Sequence, residues 1–523
     1  MIRSTFSGFE TARSAITASQ LGLDTVGHNI ANVNTSGYTR QRVDQVSVNL
    51  NGYQTKFRTN GKMAGLGTQV TGVNQVRDKF LDTRYRNEAS NYGELTTRSN
   101  SLTDLQNIFD ESMTTGLHAQ MENFIKQVQS YHSDASNKEL AVVVRTAAEQ
   151  FLQVLNKNAS ELNTAMEQQI FDTQTAVAEN VNVILDSIAA LNDQIRQANI
   201  YGDPANEMND QRNMLLDELS QYVNIRVVRT PEKISEGNYV ERLSIDMVDE
   251  SSGTAINLVD NKTFNQFKVT SATTPATSPL SVSLTDEHGL MAIAGGSDIT
   301  EMFSGGAIKG YLDMINGKGD YAATGENTFR GIPYYQNTLD TLASTFAKVL
   351  NEVNADTSSG STVAKDLFVS GSAAPVTALN IRVSSDWKND ATFLTTTQNP
   401  NVTTDTKPDA KNDNLLTLLN SLKGDQSFSY GGTNHSFSFQ GFIINTTSTL
   451  SQDLKLTDSM LDTSGTVMTT ITDLRDANSA VQTDEEAINM MTFQNYYNAA
   501  VRFMTTLDEA LGQIIQGMGV VGR

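Results

Sequence analysis

Near the end of the chain, apolar side chains fall at Met490, Phe493, Tyr497, Ala500, Met504, Leu507, Leu511, Ile514 and Met518, in steps of three and four that alternate without a break. A repeat of that period held over about four heptads predicts a helix whose seam is built for another helix. At about 1.5 Å per residue it would be on the order of 42 Å long. Burying one seam side chain contributes roughly 1.5 to 3 kcal/mol, whereas ordering each backbone residue costs roughly 1 to 2 kcal/mol, so the helix needs a partner. The same alternation runs through Phe9, Ala12, Ile16, Ser19, Leu23, Val26 and Ile30, and ends in the turn-rich Asn32-Val33-Asn34-Thr35-Ser36-Gly37. Two such seams predict a terminal coiled-coil stalk made of residues 1–36 and 485–523. The spacing is equally that of the core face of a surface helix, and periodicity alone leaves both readings open.

Between the seams the pattern alternates between helix and strand. Val43 to Leu50 reads as short irregular strand, and Gly52, Gly61, Gly65, Gly67 and Gly72 punctuate the stretch up to Val76. No Lys-Ser/Thr follows at phosphate-loop spacing, so these glycines predict turns. Phe80 to Val223 is helical nearly throughout. Val177, Val181, Ile184, Ile188, Leu191 and Ile195 form one arm of a long hairpin, Gly202-Asp203-Pro204 breaks it, and Met208, Gln211, Leu215, Leu216 and Leu219 form the other. From Val223 to Ser297 short Val-, Ile- and Thr-rich runs predict an inserted β domain. Helix returns at Gly310–Ile315 and Tyr335–Val353. A second irregular β insertion covers 365–445, with the chain's one tryptophan, Trp387, and a polar run from Thr395 to Asn414 that reads as a mobile loop. Phe437, Phe439, Phe442 and Ile444 read as strand, and helix resumes at Leu450. The fold class is therefore mainly α with β-rich insertions: a terminal coiled-coil stalk, a long-helix bundle frame (37–222, 298–364 and 446–484), and one or two small inserted β domains, the first at 223–297 and a second irregular or β insertion at 365–445.

Composition narrows the function. At 523 residues the chain is too long for one core, and about three domains is the expectation. Lys and Arg number 38 against 59 Asp and Glu, a net charge of −21 that argues against nucleic acid and anionic membrane as partners. Met1-Ile2-Arg3-Ser4-Thr5-Phe6-Ser7 lacks the apolar core of a secretory signal, and no run reaches the roughly 20 apolar residues of a membrane span. By those rules alone the chain would be cytoplasmic. It has no cysteine, which excludes disulfides and thiolate chemistry. None of His28, His118, His132, His288 and His435 has metal-ligand spacing, and His28 reads as an interfacial helix residue. No nucleophile elbow occurs. Asp484-Glu485-Glu486 precedes the last helix, where negative charge complements the helix dipole. Neither an enzyme nor a cofactor is expected.

The segment Asn29-Ile30-Ala31-Asn32-Val33-Asn34-Thr35-Ser36-Gly37-Tyr38 resembles the signature of the rod, hook and hook-associated proteins of the bacterial flagellum. Gly37-Tyr38-Thr39-Arg40-Gln41 narrows that likeness to the hook-associated family of the hook-filament junction. Leu191-Asn192-Asp193-Gln194-Ile195, Asp210 to Leu219 and Glu485 to Gln494 resemble it too, while both β-rich insertions do not. Met490 and Met491 stand where leucine is common and Asn498 where alanine is usual, changes that soften the seam without moving its register. The resemblance implies a structural subunit in a ring of about eleven copies, with the hook protein on one side and a third hook-associated protein on the other. It also implies type III export without a cleaved signal, an extracellular place on the flagellum, and a cytoplasmic export chaperone on the C-terminal seam. Asn29, Asn32, Asn34, Gly37, Tyr38 and Arg40 are the motif positions. The alternatives are a hook or distal rod subunit, which would lack the long hairpin, and a surface adhesin or hydrolase carried by the β insertions.

Overall fold

The computed structural model describes residues 6–48, 67–109, 116–236, 238–248, 255–271, 279–285, 298–355, 363–371, 375–398 and 411–518. Asn49, Leu50, Gly52, Gly61, Gly65, His288 and most of the run from Thr395 to Asn414 lie outside the described residues. In order, the chain forms α1 (Phe6–Ala31), β1 (Gln41–Ser47), β2 (Thr68–Gln75), α2 (Lys79–Ile108), α3 (Leu117–Ser133), α4 (Lys138–Thr175), α5 (Asn182–Ile200) and α6 (Asn206–Tyr222). Then come β3 (Ile225–Ser235), β4 (Asn238–Val248), β5 (Ala255–Asp260), β6 (Thr263–Phe264), β7 (Gln266–Ser271), β8 (Leu280–Thr285), α7 (Ala307–Asn316) and α8 (Ile332–Asn354). The remainder is β9 (Phe368–Ser370), β10 (Ile381–Val383), α9 (Ser385–Asn389), α10 (Asp413–Lys423), β11 (Gln426–Tyr430), β12 (Thr433–Phe437), α11 (Phe439–Ser479) and α12 (Thr483–Met518). The fold is mainly α, with small antiparallel sheets set between long helices.

Two hydrophobic cores share one rod. α4 passes through a π-helical segment, Ala176–Val181, directly into α5. Ala141 to Ile170 on α4 belong to a core with α3, α8 and the start of α11, whereas Val177 to Ala189 belong to a second core with α6 and the sheet β3-β4-β5-β6. Just past the π segment, the Asn182 amide donates to the Phe267 carbonyl and accepts its N–H, both at 2.9 Å. That single side chain pairs with β7 as a strand residue would.

Two expectations need correcting. Residues 365–445 do not make a separate body: Leu367, Phe368, Ile381, Trp387, Leu415, Leu418 and Phe428 enter the same core as α4 and α8. Trp387 is fully buried, edge-on to Phe368 at 5.5 Å, which in turn packs on Phe346 of α8 at 4.9 Å. Of Phe437, Phe439, Phe442 and Ile444, which read as strand, only Phe437 lies in one. Phe439, Phe442 and Ile444 are in the first turns of α11, because Phe439, Phe442 and Ile443 repeat at helical spacing and are buried, and the Ser438 hydroxyl accepts from the Gly441 N–H at 3.0 Å.

The chain's two ends meet. α1 and α12 pack antiparallel: a Cβ built on Gly8 would lie 2.9 Å from Leu507 Cδ1, one on Gly22 would lie 2.6 Å from the Phe493 ring, and the Asn29 amide donates to Glu486 Oε2 at 3.1 Å. Gly8, Gly22 and Asn29 are separated by multiples of seven, so α1 offers a lane of small residues that receives large side chains of α12. The hairpin β1-β2 lies along α1, tied at one end by Asn29 to Gln41 and at the other by Thr68 to Ser14. It therefore belongs structurally with the stalk, although the sequence reading set the boundary at residue 36.

Two glycine substitutions in α1 should act with opposite sign. Gly27 has nothing within 4 Å of an added Cβ, so Gly27→Ala gains about 1 kcal/mol of helix propensity. Gly22→Ala gains the same but forces the Phe493 ring aside, an overpacking cost of about 1–3 kcal/mol. Hydrogen exchange across α1 should show protection rising in the first variant and falling in the second.

Candidate assembly site

Each motif residue has a local physical reason. Asn29 is buried and all four of its amide hydrogen-bonding positions are filled: Nδ2 donates to the Gln41 carbonyl at 2.9 Å and to Glu486 Oε2 at 3.1 Å, while Oδ1 accepts from the Tyr38 hydroxyl at 2.8 Å and from the Gln41 N–H at 3.0 Å. One side chain thus joins α1, the turn after it, the start of β1 and the start of α12. Because the Tyr38 proton is committed to Asn29, the 3.0 Å contact of the same hydroxyl with His28 Nδ1 requires a proton on that nitrogen. Burial first, then the carboxylates of Asp210, Glu207 and Glu486, push the Tyr38 phenol up from its ordinary value, which keeps it a donor. Asn32 donates to the His28 carbonyl at 3.0 Å and closes the C-terminus of α1, while Asn34 sits exposed in the turn. Gly37 has φ +77°, and a Cβ there would lie 2.1 Å from Met214 Sδ, so both backbone and space require glycine. Arg40 donates from its main-chain N–H to the Ser479 carbonyl at 2.9 Å and from Nη1 to Glu485 at 2.6 Å, fixing the elbow between α11 and α12.

Behind the motif lies a buried network of alternating charge. The Thr39 N–H and hydroxyl donate to the two oxygens of Asp210 at 3.0 and 2.6 Å. Arg77 donates to Asp82 at 2.7 Å, and its guanidinium lies 3.9 Å from Asp210 and 4.0 Å from Asp217. Asp217 accepts from Arg86 at 2.8 Å and from Arg475 at 2.6 Å. Three arginines meet three aspartates from β2-α2, α6 and α11, with little water to screen them. Burial pulls Arg86 below its ordinary value despite Asp217; burial pulls Arg475 the same way, but Asp217 and Asp82 outweigh it and the net shift is upward. Asp210 is pushed up by burial, against the two Thr39 bonds and Arg77. The chain of contacts continues along α6. Asn213 Oδ1 accepts from Arg86 at 3.4 Å, and Arg212 binds Asn192 at 2.9 Å and Glu241 of β4 at 3.1 Å. Burial brings Arg212 down to about 10, with Glu241 opposing.

The predicted seam residues divide into groups. On α1, Ala12, Ser19 and Val26 are buried, whereas Phe9, Ile16, Leu23 and Ile30 are half-buried at the edge of the lane. On α12, Ala500 is buried and Phe493, Tyr497, Met504, Leu507 and Leu511 are half-buried. Met490 and Ile514 are exposed, and Met518 is helical. Sequence reasoning missed Gly8 and Gly22, which carry no apolar signal. It also missed Arg77, Asp82, Arg86 and Arg475, which read as charges on a solvated helix face. The i, i+4 pair Asp82 and Arg86 and the seven-residue step from Asp210 to Asp217 are the only traces of the network in the pattern.

Comparison with known proteins fits this arrangement. Residues 9–39 match the family described as "Flagella basal body rod protein" and residues 476–517 match "Flagellar basal body rod FlgEFG protein C-terminal". Those two matches cover α1 with its motif and nearly all of α12, so the paired termini are similar to those of flagellar rod proteins. Residues 102–368, half of the chain, match "Flagellar hook-associated protein FlgK helical domain". The chain belongs to that family, whose members are structural proteins of the flagellum. It is 29% identical over 539 residues to flagellar hook-associated protein 1 of Bacillus subtilis (strain 168), covering 99% of this chain and 100% of that one. With flagellar hook-associated protein 1 of Escherichia coli (strain K12) it shares 28% over 218 residues, 41% of this chain and 38% of the relative. Among solved structures, the flagellar hook junction protein FlgK from Burkholderia pseudomallei aligns with TM-score 0.43 and 21% identity, over 55% of this chain and 47% of that one.

The network predicts a specific weakness. Asp217→Ala leaves the Arg86 and Arg475 guanidiniums buried together without their shared carboxylate, a loss of about 3–5 kcal/mol. Asp473, exposed on α11, should tolerate the same change within about 0.5 kcal/mol. Chemical denaturation of both variants measures the difference.

Proposed function

We propose that this chain is a subunit of the ring that joins the flagellar hook to the filament. About eleven copies, the number the family resemblance implies, close through heterologous contacts. The hook protein lies on one side and a third hook-associated protein on the other. Export proceeds without a cleaved signal, and a cytoplasmic chaperone covers the C-terminal helix until then. The paired seams on α1 and α12 form the assembly unit, and the role of the chain is structural. The observation that carries this reading is the pairing of α1 with α12 around Asn29 and Glu486. It supports the reading because the segments that match rod-type N- and C-terminal families pack on each other in a chain that also carries the FlgK-type helical domain.

Geometry divides the labour along α12. Leu507 is engaged with Gly8 of its own chain, whereas Met490 and Ile514 are exposed for an outside partner. Leu507→Asp, Leu511→Asp should therefore weaken the pairing of the termini, by about 1–3 kcal/mol for each carboxylate placed at a half-buried position, and abolish assembly. Purified full-length chain added to isolated hooks and viewed by electron microscopy is the test. Wild type should cap the hook ends and the double variant should not. Bare hook ends with wild type would refute the junction reading. Thermal unfolding of the two central cores should be the same in both proteins.

A further inference from the structure

The long helix α11 presents a stripe that the chain's described residues leave about half exposed. Leu456, Met460 and Leu474 are 56%, 50% and 47% exposed, and with Thr463, Val467 and Thr470 they fall in alternating steps of four and three. The stripe runs beside the face buried at Thr457, Ser464 and Ile471, three or four residues along the helix from Met460, Val467 and Leu474. From Ser459 to Thr472 the helix carries one charge, Asp462, in a chain that is 19% charged. Its hydroxyls are turned inward: Thr463 donates to the Ser459 carbonyl at 2.8 Å, and Thr466 and Thr470 donate to Asp462 and Thr466 at 2.9 Å. With those hydroxyls satisfied inside the helix, what faces outward is methyl and methylene. Such a face loses little when water leaves it, and its heptad spacing specifies a helix as the occupant.

We propose that this stripe of α11 docks a helix from a second copy of the chain, namely the uncovered side of α12 marked by Tyr496, Phe503 and Ile514. This deepens the ring reading and rests on it. Two observations select a second copy. Tyr496 and Phe503 recur at seven residues and are 60% and 45% exposed, the same period as Met460, Val467 and Leu474 on α11. Moreover, copies that each carry a net charge of −21 repel over most of their surfaces, and the stretch of α11 whose one charge is Asp462 is where they approach at least cost. A contact between two different faces is heterologous, the kind that propagates from copy to copy until a ring closes.

A photo-crosslinking residue in place of Met460 in the full-length chain reads the contact directly. Expected is a crosslink between copies that maps to α12, both on isolated hooks and in concentrated protein without hooks. Crosslinks to hook protein only, within one chain only, or to another part of the second copy would overturn the proposal. The Leu456→Ala, Met460→Ala variant adds no charge and should leave unfolding of the isolated chain unchanged, while incorporation at hook ends drops at least tenfold. Undiminished incorporation would overturn it as well. If wild type fails to cap hooks yet forms the α12 crosslink in solution, the junction reading fails and the docking face stands.

Discussion

Asp217 is one carboxylate facing two buried guanidiniums, Arg86 from α2 and Arg475 from the far end of α11, at 2.8 and 2.6 Å. Its own backbone belongs to α6, so three helices from distant parts of the sequence are fixed to each other at a single charge. A buried ion of either sign is costly unless its partners are in place, which makes the arrangement close to all-or-none. The elbow of Arg40 and Ser479, the Asn29 amide and the α1-α12 pairing are all built outward from that point. Through Asn213 and Arg212 the same helix reaches the sheet at Glu241. α6 is thus the element against which both the paired termini and the inserted sheet are positioned.

Much of the fold was legible because apolar period distinguishes long helices from short strands. The hairpin of α5 and α6, the sheet strands around Ile225, Leu243, Ile245 and Phe267, and the stripe on α8 are all visible as pattern. The second insertion was misread because Leu367, Ile381, Trp387 and Phe428 occur in short apolar runs separated by a polar stretch, and nothing local says that these runs fill one existing core. At Phe437 to Ile444, a period-two step at Phe437 and Phe439 runs directly into a three-four step at Phe439, Phe442 and Ile443, and the first hid the second. The Ser438 cap was the signal that separates them.

The site was legible only where it is apolar or where its motif is distinctive. Ala12, Ser19 and Val26 mark the buried side of α1, but the lane that sets the approach of the helices runs through Gly8 and Gly22, which have no side chain to show a pattern. The charge network was invisible for a different reason. Aspartate and arginine on a helix ordinarily face water, and only tertiary structure reveals that Asp82 and Arg86 do not. The Asn29 motif stood out as a string of residues, yet its purpose, one amide with all four bonds filled by three segments, is a property of folded geometry.

The continuous rod from α4 through the π segment into α5 has a mechanical consequence. A domain pair joined by a loop bends at the loop, and load is carried by whatever contacts happen to span it. Here one helix from Lys138 to Ile200, on the order of 90 Å at about 1.5 Å per residue, is embedded in one core along its first half and in the other along its second. Twisting one core relative to the other would have to shear packed side chains along a beam. The two bodies therefore form a stiff lever, with the π segment as the place where its phase, but not its continuity, is reset.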